Sequence, residues 1–352
     1  MEIGILGAGA WGTTIGKVIA GKGKKVLIWS YEDDVRDDIN KNHLNSRYLP
    51  DVELPATLKA TSNIEEAAEG KQFLIYASPS LFLLDTLKKS LSVNSIREGK
   101  TIIAVITKGF LPTDNGPRLI LETMEDYLPG FFRQSLVYIA GPSHAEEVSR
   151  EKVTGLIAAS ENAKNSIRFR ELLKTPRLLV YSSLDVRGVQ VAAAAKNIIA
   201  IAFGILDALK KTGNAEMFGD GTESLLLAAG LNEIQLLGKA LGATHTETFT
   251  SISGIGDLDV TCRSAYGRNR RFGREIIEKK ILNQYKNIED LLKHIGDIGY
   301  MPEGVAAAKH VRLLAEKHKL KMPVSVGLCK LLNRELEPME FYKDLLADWE
   351  IK

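Results

Sequence analysis

Cysteine is scarce in this chain, with only Cys262 and Cys329 among 352 residues. Two cysteines far apart in sequence cannot form the disulfide framework of a small secreted domain, so a reducing compartment is expected. The chain also begins directly with MEIGILGAGAWG, and no basic segment precedes the apolar run. We therefore predict no signal peptide and a cytoplasmic location.

An excess of charge is missing as well. The chain has 46 lysines and arginines against 44 acidic residues, a net charge of +2 that gives no general attraction to nucleic acid or an anionic membrane. One basic cluster, Arg268, Arg270 and Arg271, lacks the interleaved aromatic residues and the wider basic stripe of a nucleic-acid surface. We predict no nucleic-acid partner, and the cluster is either a solvated basic turn or a site for one phosphate.

Long hydrophobic runs are nearly absent, and the exception is VQVAAAAKNIIAIAFGIL from Val189 to Leu206. Its small residues and its Lys196-Asn197 centre are typical of a core helix, so we predict no membrane span. A buried ammonium costs on the order of several kcal/mol unless it is paired, solvated or neutral. Lys196 therefore either reaches the surface or a buried acid, as a structural lysine does, or takes part in catalysis.

The length of the chain predicts two domains, because 352 residues are many for one hydrophobic core. Short apolar runs alternate with helical patterns in the first half, which predicts a parallel sheet covered on both faces. Strand patterns fade after about Asp185, which predicts a helical second domain. We place the domains at residues 1–188 and 189–352. The predicted strands are Ile3–Leu6, Val26–Trp29, Phe73–Ala77, Thr101–Ile106, Leu136–Ala140, Gly155–Ala159 and Leu178–Tyr181. The predicted helices of the second domain are Val189–Leu209, Ser224–Leu241, Arg274–Lys280, Asn287–Ile295, Val305–Lys317 and Val324–Leu332.

A glycine-rich turn, GILGAGAWGTTIG, follows the first predicted strand and opens a helix. Gly7, Gly9 and Gly12 form the pattern G-x-G-x-x-G. In dinucleotide-binding folds the first glycine permits the tight turn, the second lets a pyrophosphate approach and the third lets helix and strand pack closely. The helix N-terminus offers N–H groups to the phosphates. We predict a dinucleotide at this turn; the alternative is a tight strand-to-helix turn without a ligand.

The end of the second predicted strand carries acids that suit the adenosine ribose. Glu32 and Asp33 lie about 20 residues past the glycines, where a carboxylate accepts from ribose hydroxyls and repels a 2′-phosphate. Neither Ser30 nor Tyr31 is cationic, and Arg36 is the nearest cation. This pattern predicts NAD in preference to NADP, unless the acids are only a solvated helix start.

Three further strand ends carry polar groups, where ligands gather in a doubly wound sheet. One of them, LIYASPS, ends in Ser78-Pro79. Lys108 directly follows the strand in AVITKGF; it is a ligand contact or, by default, a surface lysine. GPSHAEEV follows another strand and places Ser143 near a helix start, where it suits either capping or holding a phosphate.

The segment GDLDVTCRSAYGRNRRFG is the most unusual part of the second half. Asp257 and Thr261 are four residues apart and share a face if the segment is helical. Arg268 with Asn269 offers a bidentate guanidinium and neutral donors, which is what a single phosphate on a small metabolite needs.

Taken in order, these motifs resemble those of NAD(P)-dependent glycerol-3-phosphate dehydrogenases. The matching stretches are GAGAWGT, KG at Lys108, GPSHAEEV, AAKNIIAIAFGILD, GDLDVTC with GRNRRFG, and PEGVAAAKHV, from Ile3 to about Pro323. The resemblance implies an α/β Rossmann-type doubly wound N-terminal domain, an all-α C-terminal domain of the 6-phosphogluconate dehydrogenase-like type, and a site between them. It implies interconversion of dihydroxyacetone phosphate and sn-glycerol 3-phosphate, which supplies glycerophospholipid synthesis. NAD is the implied cofactor, NADP is the alternative, no metal is implied, and a homodimer is one assembly left open.

The resemblance also implies roles for single residues. Lys196 is implied as the catalytic residue that protonates the substrate oxygen. The implied substrate contacts are Lys108, Gly141, Ser143, Lys196, Asp257, Gly267, Arg268 and Asn269. The implied cofactor contacts are Gly7, Gly9, Ala10, Trp11, Gly12, Tyr31, Phe82, Lys108, Ala145, Arg268, Met301 and Glu303.

The chain departs from the family pattern at a few positions. Gly267 and Tyr31 stand where the bacterial branch usually has serine and arginine. Gly221 and Ala229 replace the usual asparagine and arginine, and an extra piece runs from about Lys210 to Met217. Two rival functions remain: a related dehydrogenase for another small hydroxy acid or sugar acid, and a nucleotide-sensing protein that has lost catalysis.

Overall fold

The computed structural model describes residues 2–212 and 216–350, and it forms two compact units. The first unit runs to Leu111 and resumes from Leu119 to Val189. The second contains Pro112–Arg118 and everything described from Gln190 onward. The extra piece noted between Lys210 and Met217 lies partly outside the described residues.

The first unit contains an eight-stranded sheet within the described residues, in the order β10-β9-β8-β5-β4-β1-β2-β3. Every predicted strand is confirmed, with bounds within two residues. The central strands read as continuous apolar runs because both faces are covered, and Ile3, Ile5, Ile28 and Ile75 are all fully buried. The strands of this sheet are β1 Glu2–Leu6, β2 Lys25–Trp29, β3 Leu58–Thr61, β4 Phe73–Tyr76, β5 Ile102–Val105, β8 Val137–Ala140, β9 Thr154–Ala159 and β10 Leu178–Ser183. Two short strands, β6 Phe110–Leu111 and β7 Arg118–Leu119, form a separate pair. The helices of this unit are α1 Ala10–Gly21, α2 Asp33–Asn42, α3 Ile64–Ala68, α4 Ser80–Ser90, α5 Asn94–Arg97, α6 Ile120–Glu125, α7 Ala145–Ser149 and α8 Ala163–Leu173.

One pair of strands corrects the prediction of a wholly parallel sheet. β8 and β9 are antiparallel, with Tyr138 opposite Ala159 and Ala140 opposite Ile157. The physical reason is the connection: α7 has five residues, too few to cross a face of the sheet as a helix in a parallel connection does. The chain therefore reverses direction after β8, and the last three residues of β9 pair with β8, with Ala140 opposite Ile157.

The second unit consists of helices in its described residues, and each helix predicted for it is present. The elements that were not predicted include the helix over Glu247–Thr250, the π-helical turn over Ile252–Gly256 and the last helix. The helix over Asp257–Arg263 was considered only as the condition for Asp257 and Thr261 to share a face. The helices are α9 Val186–Lys211, which begins in the first unit, α10 Asp220–Ala240, α11 Glu247–Thr250, α12 Asp257–Arg263, α13 Arg268–Glu278, α14 Ile288–Lys293, α15 Gly304–His318, α16 Pro323–Leu332 and α17 Pro338–Glu350.

Helix α9 passes through the core of the second unit. By length and composition it could cross a membrane, but its most apolar 18-residue window is entirely buried inside the protein, as in core helices of soluble proteins. Glycines bring its neighbours very close. A Cβ on Gly204 would lie 2.0 Å from the carbonyl oxygen of Arg270 in α13, and one on Gly304 would lie 2.5 Å from that of Asn197. The first turn of α15 therefore packs directly against Asn197 and Ile201 of α9.

Candidate active site

Lys196 lies in the middle of α9 and is 5% exposed. Its Nζ donates to the carboxylate of Asp257 and, over 2.7 Å, to the hydroxyl of Thr261. Asp257 is fully buried. Removing one partner of a buried ion pair leaves an uncompensated charge and costs about 3–5 kcal/mol. The buried acid thus offsets the cost of burying the ammonium, and the Lys196–Asp257 pair is fixed in place.

The local fold explains why Asp257 and Thr261 meet the lysine together. They lie four residues apart in α12, as the spacing predicts, and the Thr261 hydroxyl donates to the backbone carbonyl of Asp257 over 2.6 Å. Because a hydroxyl has one proton, its lone pairs remain for the Lys196 N–H. The π-helical turn at Ile252–Gly256 runs straight into α12, and such turns are frequent at functional sites.

The three arginines of the basic cluster have different surroundings. Arg270 makes a bidentate pair with Asp207, with Nε and Nη2 at 2.6 and 3.0 Å from the carboxylate oxygens. Arg271 pairs with Glu275 at 3.0 Å and lies over the Tyr300 ring. Arg268 is exposed, and its guanidinium makes no hydrogen bond or ion pair with any residue that the structure describes. It is also the first residue of α13, so its guanidinium and the helix N-terminus can bind the same anion.

Asn269 ties the start of α13 to the start of α15. Its side-chain carbonyl accepts from the N–H of Gly304 over 2.8 Å, and the residue is 7% exposed. Gly267 is the N-cap residue of α13. Met301 and Glu303 lie in the partly exposed segment just before α15. The structure therefore groups these second-unit candidates around two helix starts, and the start of α15 packs against Asn197, the residue that follows Lys196.

In the glycine-rich turn of the first unit, the backbone itself requires glycine at Gly7 and Gly12 but not at Gly9. Gly7 has a φ of +129°, and a Cβ on Gly12 would lie 2.0 Å from the carbonyl oxygen of Gly7. A Cβ on Gly9 would meet no described protein atom within 4 Å. Ala10 and Trp11 follow in the partly exposed first turn of α1. The open helix N-terminus fits a pyrophosphate, so the residues present suit a dinucleotide.

The end of β2 keeps its acids in defined positions. Glu32 accepts from the hydroxyl of Tyr48 over 2.6 Å. Partial burial, followed by the nearby Glu32, raises the pKa of Tyr48 to about 12, so the phenol remains a donor. Arg36, the nearest cation, is paired with Asp33 and with Asp37. The alternative of a solvated helix start therefore fits Asp33, but it does not fit Glu32, whose carboxylate is held by Tyr48.

The candidates at the other strand ends come together in part. Lys108 Nζ lies 3.5 Å from the carbonyl oxygen of Gly141, and the Ser143 hydroxyl donates to the same oxygen over 3.2 Å. A Cβ on Gly141 would lie 2.7 Å from the backbone of Gly155, so this close return of the chain requires glycine. Capping by Ser143 is wrong: the N-cap residue of α7 is His144.

The remaining cofactor candidates of the first unit lie at the starts of α4 and α7 and just after β2. The carbonyl oxygen of Ala145 in α7 accepts from the Thr14 hydroxyl of α1 over 3.2 Å. Phe82 is in the first turn of α4 and is 54% exposed, and Tyr31 after β2 is 78% exposed. Large exposed aromatic side chains of this kind are available for stacking on a ligand.

Three residues that shape these sites were not among the predicted contacts. The spacing had placed Thr261 on one face with Asp257 but had given it no contact, whereas Asn45 and Tyr48 were missed altogether. Asn45 and Tyr48 contact the glycine-rich turn and the end of β2, respectively. Nothing in their spacing points to elements so far away in the chain.

Comparisons with known proteins agree along the whole chain. Residues 2–166 match the family model of the NAD-dependent glycerol-3-phosphate dehydrogenase N-terminus, and residues 185–343 match that of its C-terminus. A glycerol-3-phosphate dehydrogenase (NAD(P)+) of Treponema denticola is 54% identical over 98% of each chain. That of Treponema pallidum is 49% identical over 98% of this chain and 99% of the relative. A crystal structure of glycerol-3-phosphate dehydrogenase from Coxiella burnetii, 33% identical, superposes with a TM-score of 0.84 over 98% of each chain.

Proposed function

The chain belongs to the family of NAD-dependent glycerol-3-phosphate dehydrogenases, and from this membership we propose that Lys196 is its proton-transfer residue. The protein is an oxidoreductase that uses NAD or NADP. Its reaction interconverts dihydroxyacetone phosphate and sn-glycerol 3-phosphate, and the product supplies glycerophospholipid synthesis. The observation that carries the assignment is the buried Lys196 ammonium held by Asp257 and Thr261.

The chemistry asks for a proton at one oxygen. When bound, the nicotinamide supplies the hydride for the carbonyl carbon. Reduction leaves negative charge on the carbonyl oxygen, where a positioned ammonium stabilises the charge and donates its proton. In the opposite direction the neutral amine of Lys196 takes the hydroxyl proton. Asp257 and Thr261 keep Nζ in one orientation, and the Asp257 carboxylate stabilises the charged lysine.

The phosphate of the substrate is assigned to Arg268. Its support is the contrast with Arg270 and Arg271, whose guanidinium groups are already paired with carboxylates. A bidentate guanidinium at a helix N-terminus matches a phosphate in both geometry and charge. The other proposed substrate contacts are Lys108, Gly141, Ser143, Asp257, Gly267 and Asn269.

The cofactor is assigned to the glycine-rich turn and its surroundings. The open space at Gly9 and the first turn of α1 support binding of the pyrophosphate there. Exposed Tyr31 and Phe82 are proposed contacts as well. The remaining proposed contacts are Gly7, Ala10, Trp11, Gly12, Lys108, Ala145, Arg268, Met301 and Glu303.

We expect NADH to be preferred over NADPH. A 2′-phosphate at the end of β2 would meet the fixed carboxylate of Glu32, while Arg36 is engaged by two aspartates. The measurement is kcat/KM with each cofactor. Glu32→Gln should bring the value for NADPH closer to the value for NADH, because it removes the carboxylate that repels the 2′-phosphate. Equal or better efficiency with NADPH in the parent protein would contradict this preference.

A cytoplasmic homodimer completes the proposal. Both cysteines are buried thiols, which suits a reducing compartment. Large apolar side chains such as Tyr181 on β10 and Leu225 on α10 are more than half exposed, and a subunit interface could cover such groups. Sedimentation equilibrium should give twice the chain mass; the mass of a single chain would exclude the dimer.

The direct test of the reaction is oxidation of NADH by the purified protein when dihydroxyacetone phosphate is added. Dihydroxyacetone, which lacks the phosphate, serves as the matched control. Turnover of dihydroxyacetone phosphate but not of dihydroxyacetone would support the assignment of Arg268 to the substrate phosphate. Comparable turnover of the unphosphorylated ketone would favour the related hydroxy-acid dehydrogenases.

A further inference from the structure

We infer that Asn45 and Tyr48 are positioning residues for the dinucleotide. Asn45 fixes the glycine-rich turn, and Tyr48 fixes the acid at the end of β2. The inference rests on the proposed binding of the cofactor at that turn. It adds a short segment between α2 and β3, NSRYLP, to the cofactor-binding apparatus of this chain.

Asn45 is fully buried and holds the turn through its side-chain amide. Its Nδ2 donates to the carbonyl oxygen of Ala8 and to the hydroxyl of Thr13, both over 2.8 Å. The Thr13 hydroxyl in turn donates to the same Ala8 oxygen over 3.2 Å. Both N–H donors of the amide are therefore directed at the turn and at the first helix that follows it.

The bond to Ala8 also sets the direction of the next N–H group. The carbonyl of Ala8 and the N–H of Gly9 belong to one planar trans peptide, so they point in opposite directions. When Asn45 holds the Ala8 oxygen, the N–H of Gly9 points away from Asn45. The position of Gly9 faces open space, since a Cβ there would meet no described atom within 4 Å. Asn45 thereby presents the donor that a pyrophosphate needs.

An amide is required at position 45, because a carboxylate would place lone pairs against the Ala8 carbonyl. The Oδ1 of Asn45 is used as well: it accepts from the backbone N–H of Tyr48 over 3.2 Å. The backbone carbonyl of Asn45 accepts from the N–H of Leu49 over 2.8 Å. These bonds make residues 45–49 a compact turn that carries Asn45 and Tyr48 together.

Tyr48 extends from this turn to the end of β2. Its hydroxyl donates to Glu32 Oε1 over 2.6 Å. The second carboxylate oxygen, Oε2, makes no hydrogen bond within residues 2–212 and 216–350. The bond therefore orients the carboxylate and leaves one oxygen to accept from a ribose hydroxyl. One segment thus fixes both the pyrophosphate turn and the acid that discriminates against a 2′-phosphate.

Two residues elsewhere in the same unit make matched bonds without touching the turn or Glu32. Asn40 donates to the carbonyl of Ala60 over 2.8 Å and accepts from the N–H of the same residue over 2.9 Å. Tyr76 is fully buried, and its hydroxyl shares a 2.6 Å hydrogen bond with Ser90. Asn40→Ala and Tyr76→Phe therefore report the cost of losing hydrogen bonds inside this unit but away from the turn.

The experiment measures NADH binding by fluorescence titration and the melting temperature of each variant. We expect Asn45→Asp and Asn45→Ala to raise the Kd for NADH about 10-fold or more, since misplacing one charge-assisted donor is worth about that factor. Tyr48→Phe should raise the Kd for NADH about 3-fold to 10-fold, and it should weaken the preference for NADH by lowering the ratio of the Kd for NADPH to the Kd for NADH. Asn40→Ala and Tyr76→Phe should lower the melting temperature but keep Kd within about twofold of the parent.

The kinetic readout separates positioning from chemistry. At saturating NADH, kcat of Tyr48→Phe should stay within a few-fold of the parent, with the change confined to KM for NADH. The inference is overturned if Tyr48→Phe and the Asn45 variant that folds bind NADH as tightly as the two controls. A parent protein that does not bind NADH at all would instead overturn the proposed function, and this inference with it.

Discussion

Three arginines lie within four residues of α13, but their partners give them different roles. Arg270 and Arg271 are paired with Asp207 and Glu275, whereas Arg268 lies exposed at the helix start. A paired guanidinium stabilises the fold, because breaking the pair leaves a poorly solvated carboxylate behind. An unpaired one at a helix N-terminus can bind an anion at no such cost. For single residues, the groups that a side chain contacts therefore indicate its role better than its residue type does.

Substitution of Arg268 should therefore affect substrate use and leave stability nearly unchanged. We expect Arg268→Ala to lose about 2–4 kcal/mol in kcat/KM for dihydroxyacetone phosphate. Arg268→Lys should also be impaired, since it keeps the charge but loses the fork. Arg270→Lys is the matched control: it should lower the melting temperature through its pair with Asp207. Equal kcat/KM in Arg268→Ala and the parent would refute the phosphate assignment.

Sequence could predict the residue types of the site and could not predict the partners. Lys196 stood out because one charge interrupts an apolar helix, and Asp257 and Arg268 stood out through their motifs. Asp207 is distant in sequence from Arg270, and no local pattern connects the two. Asn45 was missed for the same reason, since its bond to Ala8 depends on how α2 returns to the sheet.

At the scale of elements, a remote carboxyl group caps a helix. Glu233 on α10 is 5% exposed and accepts from the N–H groups of Val324 and Ser325, at 2.5 and 2.9 Å, and from the Ser325 hydroxyl at 2.6 Å. These N–H groups belong to the first turn of α16 and have no acceptor within the helix. Burial raises the pKa of Glu233 to about 7, and the three hydrogen bonds oppose the rise only in part.

The raised pKa predicts a stability that falls as pH rises. The folded state keeps the Glu233 proton up to about pH 7, whereas the unfolded chain releases it near pH 4.5. This contribution is therefore present below pH 4.5 and is lost as pH rises through 7, by about 2 kcal/mol between pH 5 and 7. Denaturant titrations between pH 5 and 7 should show that the free energy of unfolding falls more steeply with pH in the parent than in Glu233→Gln.

Glu275 provides the control of opposite sign. Burial alone would raise its pKa, but hydrogen bonds from Tyr300, Lys279 and Arg271 lower it to about 2. Its contribution is present above pH 4.5 and is lost only as pH falls toward 2. Glu275→Gln should therefore lower stability by a constant amount between pH 5 and 7. The same slope in the parent and in Glu233→Gln would refute the raised pKa.

Within the glycine-rich turn, Gly12 should be needed for stability and Gly9 for binding of the dinucleotide. Gly12→Ala places a Cβ 2.0 Å from the Gly7 carbonyl and should cost about 1–3 kcal/mol of stability. Gly9→Ala meets no described protein atom, so it should melt like the parent but bind NADH at least about 10-fold more weakly. Calorimetry and fluorescence titration measure the two quantities. Tight NADH binding by Gly9→Ala would place the pyrophosphate elsewhere.

Apolar periodicity predicted most elements, because buried strands and core helices carry it most strongly. It missed β3, whose sequence LKAT is four residues long and half polar. It could not give the antiparallel pairing of β8 and β9, since direction depends on the length of α7. Nor could it give the π-helical turn before Asp257, since apolar spacing does not encode a shift from i+4 to i+5 bonding.

At the scale of the whole molecule, the ordered motifs of the sequence are sufficient to indicate the family. The family models cover residues 2–166 and 185–343, which is nearly the full chain. The length of the chain predicted two domains. The lysine in the long apolar helix predicted that this helix does not span a membrane, because a lipid environment would not tolerate the charge. The contacts that support each site residue come from distant parts of the chain, so they required the fold.

The central claim is that Lys196 transfers the proton, and its most direct test is the turnover of Lys196→Met. The variant keeps the length and the apolar stem of the side chain, and adding Asp257→Asn removes the carboxylate that would otherwise stay buried and unpaired. Lys71→Met, which removes a lysine that pairs with Glu2 outside the site, is the control. With dihydroxyacetone phosphate and NADH, the account predicts that Lys196→Met folds, binds NADH like the parent and turns over about 10²–10⁴-fold more slowly. A folded Lys196→Met enzyme with turnover within a few-fold of the parent and of Lys71→Met would contradict it.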